Sequence, residues 1–186
     1  MTFELDKKNV LGKIDKSNKG EIDEDIQELV DLINSKEEYY TTSSCSGRIV
    51  VIEIPESGRK DESRWLLVKH AAVTVEEIKD SLKSDKDVWL KEEGMILHVC
   101  CKDIESAEKL VNLAKNSGFK RTGMISVNKR YVVEIISTEN VSTILAKNGK
   151  IIVSDEYLAS LVEECNKKLK KNKEKIDKFI YSFKNC

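Results

Sequence analysis

Strand-forming blocks and helix-periodic blocks alternate along this chain, and neither kind can bury its apolar side alone. Arg48-Ile49-Val50-Val51-Ile52-Glu53-Ile54 and Trp65-Leu66-Leu67-Val68-Lys69-His70 are rich in β-branched and aromatic residues and bracket a polar loop, Pro55 to Ser63. That pattern predicts a hairpin. Tyr39-Tyr40-Thr41-Thr42 predicts a further strand just before it. Upstream, residues 3–15 read as a short helix, stopped by the turn residues Ser17-Asn18-Lys19-Gly20. Ile22, Ile26, Leu29, Val30 and Ile33 then recur at helical spacing, with Asp23, Glu24, Asp25 and Glu28 crowding the first turns, where the helix dipole favours negative charge. Downstream, Thr74 and Glu77 form a capping-box pattern for a helix over 75–83. Val88-Trp89-Leu90 and Met95 to Cys101 read as strands around Gly94, and Asp103 opens a helix stopped by Asn116-Ser117-Gly118-Phe119. Strands over 122–127, 130–137 and Ser142–Ala146 lead to a long helix from Asp155.

The architecture expected from this order is α/β or α+β, a mixed β-sheet flanked by helices and ending in a long basic helix. No linker or repeat divides the 186 residues, so a single domain is expected, with the sheet free to form as two halves. The apolar series of the last helix, Leu158, Leu161, Val162, Cys165, Leu169, Ile176, Ile180 and Phe183, lapses at Asn172 and Lys173. Its final turns are therefore expected to project from the core.

Charge and cysteine narrow the classes. Charged residues make up 35% of the chain but the net charge is only -1, so the distribution, not the total, must carry any argument for nucleic acid. No apolar run reaches membrane-spanning length and the N-terminus is charged from the start, which predicts a soluble cytoplasmic protein with no membrane partner. Cys45, Cys100, Cys101, Cys165 and Cys186 are odd in number and show no CxxC or zinc spacing. Reduced thiols and no metal centre are expected.

Three groups of residues could carry chemistry. Lys167, Lys168, Lys170, Lys171, Lys173, Lys175 and Lys178 lie within one helix. They suit phosphate contact or simply a solvated face. His98 sits on an apolar strand and reads as a core hydrogen-bonded residue or a site group, while His70 ends a strand, where ligands gather. The third is Thr41-Thr42-Ser43-Ser44-Cys45-Ser46-Gly47-Arg48-Ile49, wedged between an acidic helix and a run of strand formers. Its hydroxyls, approachable glycine backbone and forked guanidinium suit recognition of a carboxylate or phosphate, as a small turn at a strand start. Cys45 could be a nucleophile if Arg48 or His70 lowered its pKa, yet a lining role is equally available.

The acidic helix followed by YYTTSSCSGRI, then SRWLLVKH, then ILHVCCKDIESAEKLVNLAKNSGFKRTGMIS, resembles the tRNA wybutosine-synthesising protein 3 family in that order and at similar intervals. The resemblance runs from about residue 15 to residue 160, and Ser43 to Arg48 is its most specific piece. It implies S-adenosylmethionine-dependent methylation of N-4 of the tricyclic wyosine-type guanosine beside the anticodon of tRNA(Phe). Under it, Ser44, Ser46, Gly47 and Arg48 form a cofactor or substrate loop, with His70 and His98 as polar site residues. Arg59, Lys60 and Arg64 in the 56–64 loop, with Lys167, Lys168, Lys170 and Lys171, would meet the anticodon arm. Such a transfer needs alignment and electrostatics more than a covalent intermediate, so Cys45 takes a structural or lining role. The lack of a Gly-rich strand–turn–helix fingerprint implies a cofactor not held in the Rossmann manner.

The chain departs from the family at two places. Glu92-Glu93-Gly94-Met95 stands where an acidic-proline-phenylalanine segment is usual, and Ile136 stands where an arginine is expected. These departures keep open an RNA-binding module of the same fold without transfer, and Cys45 beside His70 keeps open a thiol-dependent hydrolase or transferase.

Overall fold

The computed structural model describes residues 2–12, 22–55, 57, 59 and 62–185. The expected turn at Ser17 to Gly20, Lys60 and Cys186 lie outside the described residues. In chain order the elements are α1 (Phe3–Leu11), α2 (Glu24–Asn34), β1 (Tyr39–Ile54), β2 (Arg64–Lys69), α3 (Val75–Ser81), β3 (Asp87–Cys101), α4 (Ile104–Asn116), β4 (Gly123–Ser126), β5 (Tyr131–Ile136), β6 (Asn140–Lys147), β7 (Lys150–Ile151) and α5 (Asp155–Lys184). Every strand pair with a resolved register is antiparallel, the α+β form of the expected architecture. Among the described residues, no helix is long and apolar enough to cross a membrane.

The chain divides into two compact units. One takes the residues up to Ser46, Met95–Thr138 and Lys173 onward; the other takes Gly47–Gly94 and Glu139–Asn172. The strands β1 and β3 and the helix α5 each pass from one unit into the other.

In the first unit the strand order is β1-β3-β5-β4. Alternation along β3 and β5 sends Met95, Leu97, Val99, Val133 and Ile135 into a core shared with Ile26, Leu29 and Ile33 of α2, Leu110 of α4 and the end of α5. The last turns of α5 belong to this core: Ile176, Phe179 and Phe183 are buried, and Phe179 lies 5.8 Å from Phe119 and 6.1 Å from Phe183 between ring centroids. The expectation that these turns project is thereby corrected. The apolar stripe resumes four residues after Asn172, and sequence alone could not show what it meets. Local signals behaved as read: Asp103 caps α4 through the Ser106 amide at 2.8 Å, and Gly118 has a φ of 110° just past the helix end. On the sheet face away from that core, Asp6 of α1 accepts from the Tyr40 hydroxyl at 2.6 Å and from Arg130 at 2.7 Å. Burial and Asp6 both push the Tyr40 phenol up, and burial raises the Cys100 thiol beside it.

In the second unit the order is β2-β1-β3-β6-β7. Ile49 and Val51 of β1, Val88 and Leu90 of β3, Leu145 of β6, Ile78 of α3 and Leu158, Leu161 and Leu169 of α5 form its core. The capping box Thr74–Glu77 is present at the start of α3. Cys165, fully buried there, has its thiol pushed up to about 12 by burial, with the Glu92 carboxylate adding to the effect. Glu53 is the most heavily bonded carboxylate of this unit, taking Ser84 Oγ at 2.6 Å, Arg64 Nη2 at 2.9 Å and Lys86 Nζ at 3.0 Å while 4% exposed.

These bonds, the Ser84 hydroxyl first, hold the Glu53 carboxyl at about 2 against the usual 4.5. A depressed carboxyl stabilises the fold fully above the unfolded pKa, and that contribution drains away as pH falls from 4.5 through 2. With Arg64 and Lys86 more than half exposed, solvent screening leaves about 2 kcal/mol of it. Wild type should therefore exceed Glu53→Gln in urea stability at pH 6 and lose that advantage near pH 2. A pH-independent gap between the two would contradict the assignment.

Candidate functional site

The TTSSCSGRI segment lies inside β1, not in a turn. The two strands expected at 39–42 and 48–54 are one, because pairing with neighbouring strands supplies what small polar residues lack in strand propensity. For the same reason the two strands expected around Gly94 are the single strand β3. What remains of the turn reading is Gly47, which has a φ of 102° in mid-strand. A Cβ there would stand 2.8 Å from Asn172 Nδ2 and 2.9 Å from the Glu93 carbonyl oxygen.

Around Gly47 the second unit gathers three predicted site residues. His70 Nδ1 is 2.9 Å from the Gly47 carbonyl oxygen. A carbonyl only accepts, so Nδ1 carries the proton and the neutral ring has its lone pair on Nε2. Arg48 Nε bonds Glu93 Oε2 at 3.0 Å, and its guanidinium lies 4.7 Å over the Trp65 ring, a cation–π contact. The result is a positive and a negative group side by side on an aromatic face that is 45% exposed. Sequence reasoning found Arg48, Gly47 and His70 but missed Glu93 and Trp65. Glu93 entered only as a departure from a family segment, and Trp65 only as a strand former.

The other loop residues belong to the first unit. Ser44 is half-buried in β1. Ser46 is buried, and both its amide and its hydroxyl bond Asp23 Oδ2, at 2.9 and 3.2 Å. Asp23 thus holds the N-cap position of α2 while its carboxylate serves Ser46. An acidic chain group already takes the donors that the sequence offered to an external anion. His98 pairs with Glu134, Nε2 to Oε1 at 3.1 Å, with Ser43 Oγ 3.5 Å from Nδ1. Cys45 is half-buried with its thiol free of any disulfide.

The cationic residues expected to meet tRNA are surface groups of the second unit, several already paired. Arg59 meets Glu62 at 3.3 Å and Arg64 meets Glu53. Lys168 and Lys171 flank the buried Glu139 at 3.4 and 3.1 Å, and Lys167 lies 3.6 Å from Glu164. Lys170 is exposed on the same helix.

Comparison with known proteins gives these features a class. The family model described as Methyltransferase TYW3 matches residues 5–185. A Pyrococcus horikoshii protein named tRNA(Phe) 7-((3-amino-3-carboxypropyl)-4-demethylwyosine(37)-N(4))-methyltransferase 1 is 44% identical, the match covering 94% of this chain and 91% of that one. The correspondingly named Archaeoglobus fulgidus protein is 41% identical, over 95% and 90% of the two chains. A Bos taurus tRNA wybutosine-synthesizing protein 3 homolog is 36% identical, over 99% and 73%. Among solved structures, the PH1069 protein of Pyrococcus horikoshii superposes with a TM-score of 0.90 at 42% identity, covering 98% of this chain and 96% of that one. The chain belongs to the TYW3 methyltransferase family.

Proposed function

We propose that this chain transfers a methyl group from S-adenosylmethionine to ring nitrogen N-4 of the demethylated wyosine-type guanosine beside the anticodon of tRNA(Phe), all 186 residues acting as one catalytic domain. The observation that carries this reading is the end-to-end match to relatives named for that reaction.

The donor set around Gly47 fits the methyl donor. The methionyl end of S-adenosylmethionine carries an ammonium and a carboxylate, and the adjacent Glu93 and Arg48 offer the opposite charge to each. Trp65 supplies a flat apolar surface beside them. Arg48, Glu93 and His70 would therefore hold the cofactor or the amino-acid side chain of the substrate, with Gly47 fixing the backbone between them. Ser44, Ser46 and His98 complete the polar inventory in the first unit. When bound, the cofactor supplies a sulfonium-activated methyl group. The chain's own part is to align the acceptor nitrogen and exclude water. Arg59, Lys60, Arg64, Lys167, Lys168, Lys170 and Lys171 would track phosphates of the anticodon arm, a contact that weakens as salt rises.

Labelled S-adenosylmethionine and tRNA(Phe) carrying the demethylated tricyclic base test the reading. One methyl per nucleoside is the expected product, with Arg48→Ala losing most of the transfer and Cys45→Ser keeping it. Retention of the tRNA without transfer would replace the enzyme with a binding module, and loss of transfer in Cys45→Ser would restore the thiol nucleophile.

A further inference from the structure

His98 and Glu134 are direct cross-strand partners of β3 and β5, and they stand on the sheet face of the first unit that points away from its core. Leu97 and Val99 flank His98 in sequence and are fully buried, as Val133 and Ile135 are around Glu134. The fold therefore spends the neighbours on packing and leaves these two side chains about 30% exposed, at 28% and 31%. A carboxylate can only accept, so the 3.1 Å contact places the imidazole proton on Nε2. The lone pair then lies on Nδ1, the atom that faces the Ser43 hydroxyl. Glu134 fixes the tautomer, and Ser43 marks the side from which a proton arrives.

The surroundings suit a flat heteroaromatic partner. On the same face, Ile96 pairs with Ile136 on one side of the His98–Glu134 rung and Cys100 pairs with Val132 on the other. The polar rung is thus set between two apolar ones. Beyond Glu134, the residue paired on β4 is Gly123, where a Cβ would meet nothing within 4 Å. The charged groups near the rung are few. Glu134 faces His98 directly, and along the face towards α1 Asp6 and Arg130 are bonded to each other. No positive side chain contacts the imidazole among the described residues, so protonation is opposed by none and favoured by Glu134.

We infer that Ser43, His98 and Glu134 form the proton-accepting site for methylation of the ring nitrogen, with His98 as the base and Glu134 as its positioning residue. The inference rests on the methyltransferase reading above. As the N–CH3 bond forms, the ring N–H bond breaks and leaves its electron pair on nitrogen, while the C–S pair returns to sulfur. The released proton passes to His98 Nδ1, with the Ser43 hydroxyl in its path. The positive charge that began on the sulfonium ends on an imidazolium held by Glu134, so charge and atoms balance. His98 is a group legible in the sequence as a site residue; Glu134 and Ser43 in these roles are visible only in the register of β1, β3 and β5.

Two kinds of measurement test the assignment. Proton NMR follows the titration of both histidines in the cofactor-free protein, His70→Gln assigning the signals. Glu134→Gln is expected to lower the His98 pKa and, by the same amount, the acidic limb of the kcat pH profile. His98→Gln is expected to lower kcat by about 10² to 10⁴ fold, and Ser43→Ala by about tenfold, both with unchanged tRNA affinity. His98→Gln retaining half of the wild-type kcat would overturn the inference, as would a pH limb that stays put while the NMR titration moves. Wild type that transfers no methyl would instead remove the reading on which it rests. A general unfolding of His98→Gln would show in the NMR spectrum, and Glu134→Gln then decides by its pH profile alone.

Discussion

Phe179→Ala is expected to destabilise the protein by about 3–5 kcal/mol, the range for removing a fully buried aromatic ring. Phe179 is 0% exposed and lies between Phe119 and Phe183 in the core of the first unit. Truncation leaves a cavity lined by rings that cannot close over it without breaking their own tilted and edge-to-face contacts. For a chain of this size that loss lowers the melting temperature by roughly 10 °C or more. Lys178→Ala, one position back on an exposed surface of the same helix, is the control, expected within about 0.5 kcal/mol of wild type. Equal melting temperatures for the two variants would mean that the end of α5 is not core, and the sequence-based expectation of a projecting helix would return.

That contrast shows where the sequence was legible and where it was not. Signals that act within one turn of chain were read correctly: the Thr74–Glu77 box, the Asp103 cap and the Gly118 stop each need only neighbours three or four residues away. Signals whose meaning is supplied by a distant partner were not. Asn172 and Lys173 interrupt an apolar stripe, but both change partners where α5 passes between units, Asn172 fully buried and Lys173 bonded to Asp25 at 2.7 Å. The small polar residues of β1 read as a turn because strand propensity is low there, while the ladder that holds them comes from elsewhere in the chain. The site divides in the same way. Arg48 and His70 were recognisable by residue type and position at strand ends. Their companions Glu93 and Trp65, like Glu134 opposite His98, depend on register, and a shift of one residue would turn each to the other face.

Gly47→Ala is expected to cost about 2–4 kcal/mol and to reduce methyl transfer beyond what the loss of folded protein explains. Two independent terms act at this position. The φ of 102° lies where an L side chain is strained, and the new Cβ would press on Asn172 Nδ2 at 2.8 Å and on backbone atoms of Glu93 and Gly94 at 2.9 and 3.2 Å. A side-chain amide can swing aside, whereas the β3 backbone is held by its own pairing and β1 must yield instead. Any such shift moves the Gly47 carbonyl that receives the His70 Nδ1 proton, and with it the neighbouring Arg48 that meets Glu93. Stability and chemistry are therefore coupled through one backbone unit. Gly123→Ala separates the terms, since its Cβ would meet nothing within 4 Å and its φ is not in the left-handed region. It should leave the urea midpoint within about 0.5 kcal/mol of wild type. Assayed at a temperature where both variants stay folded, Gly47→Ala should bind S-adenosylmethionine more weakly than Gly123→Ala by about tenfold or more, the scale of one lost charge-assisted hydrogen bond. Equal affinity would detach Gly47 from the cofactor and leave it a purely structural glycine.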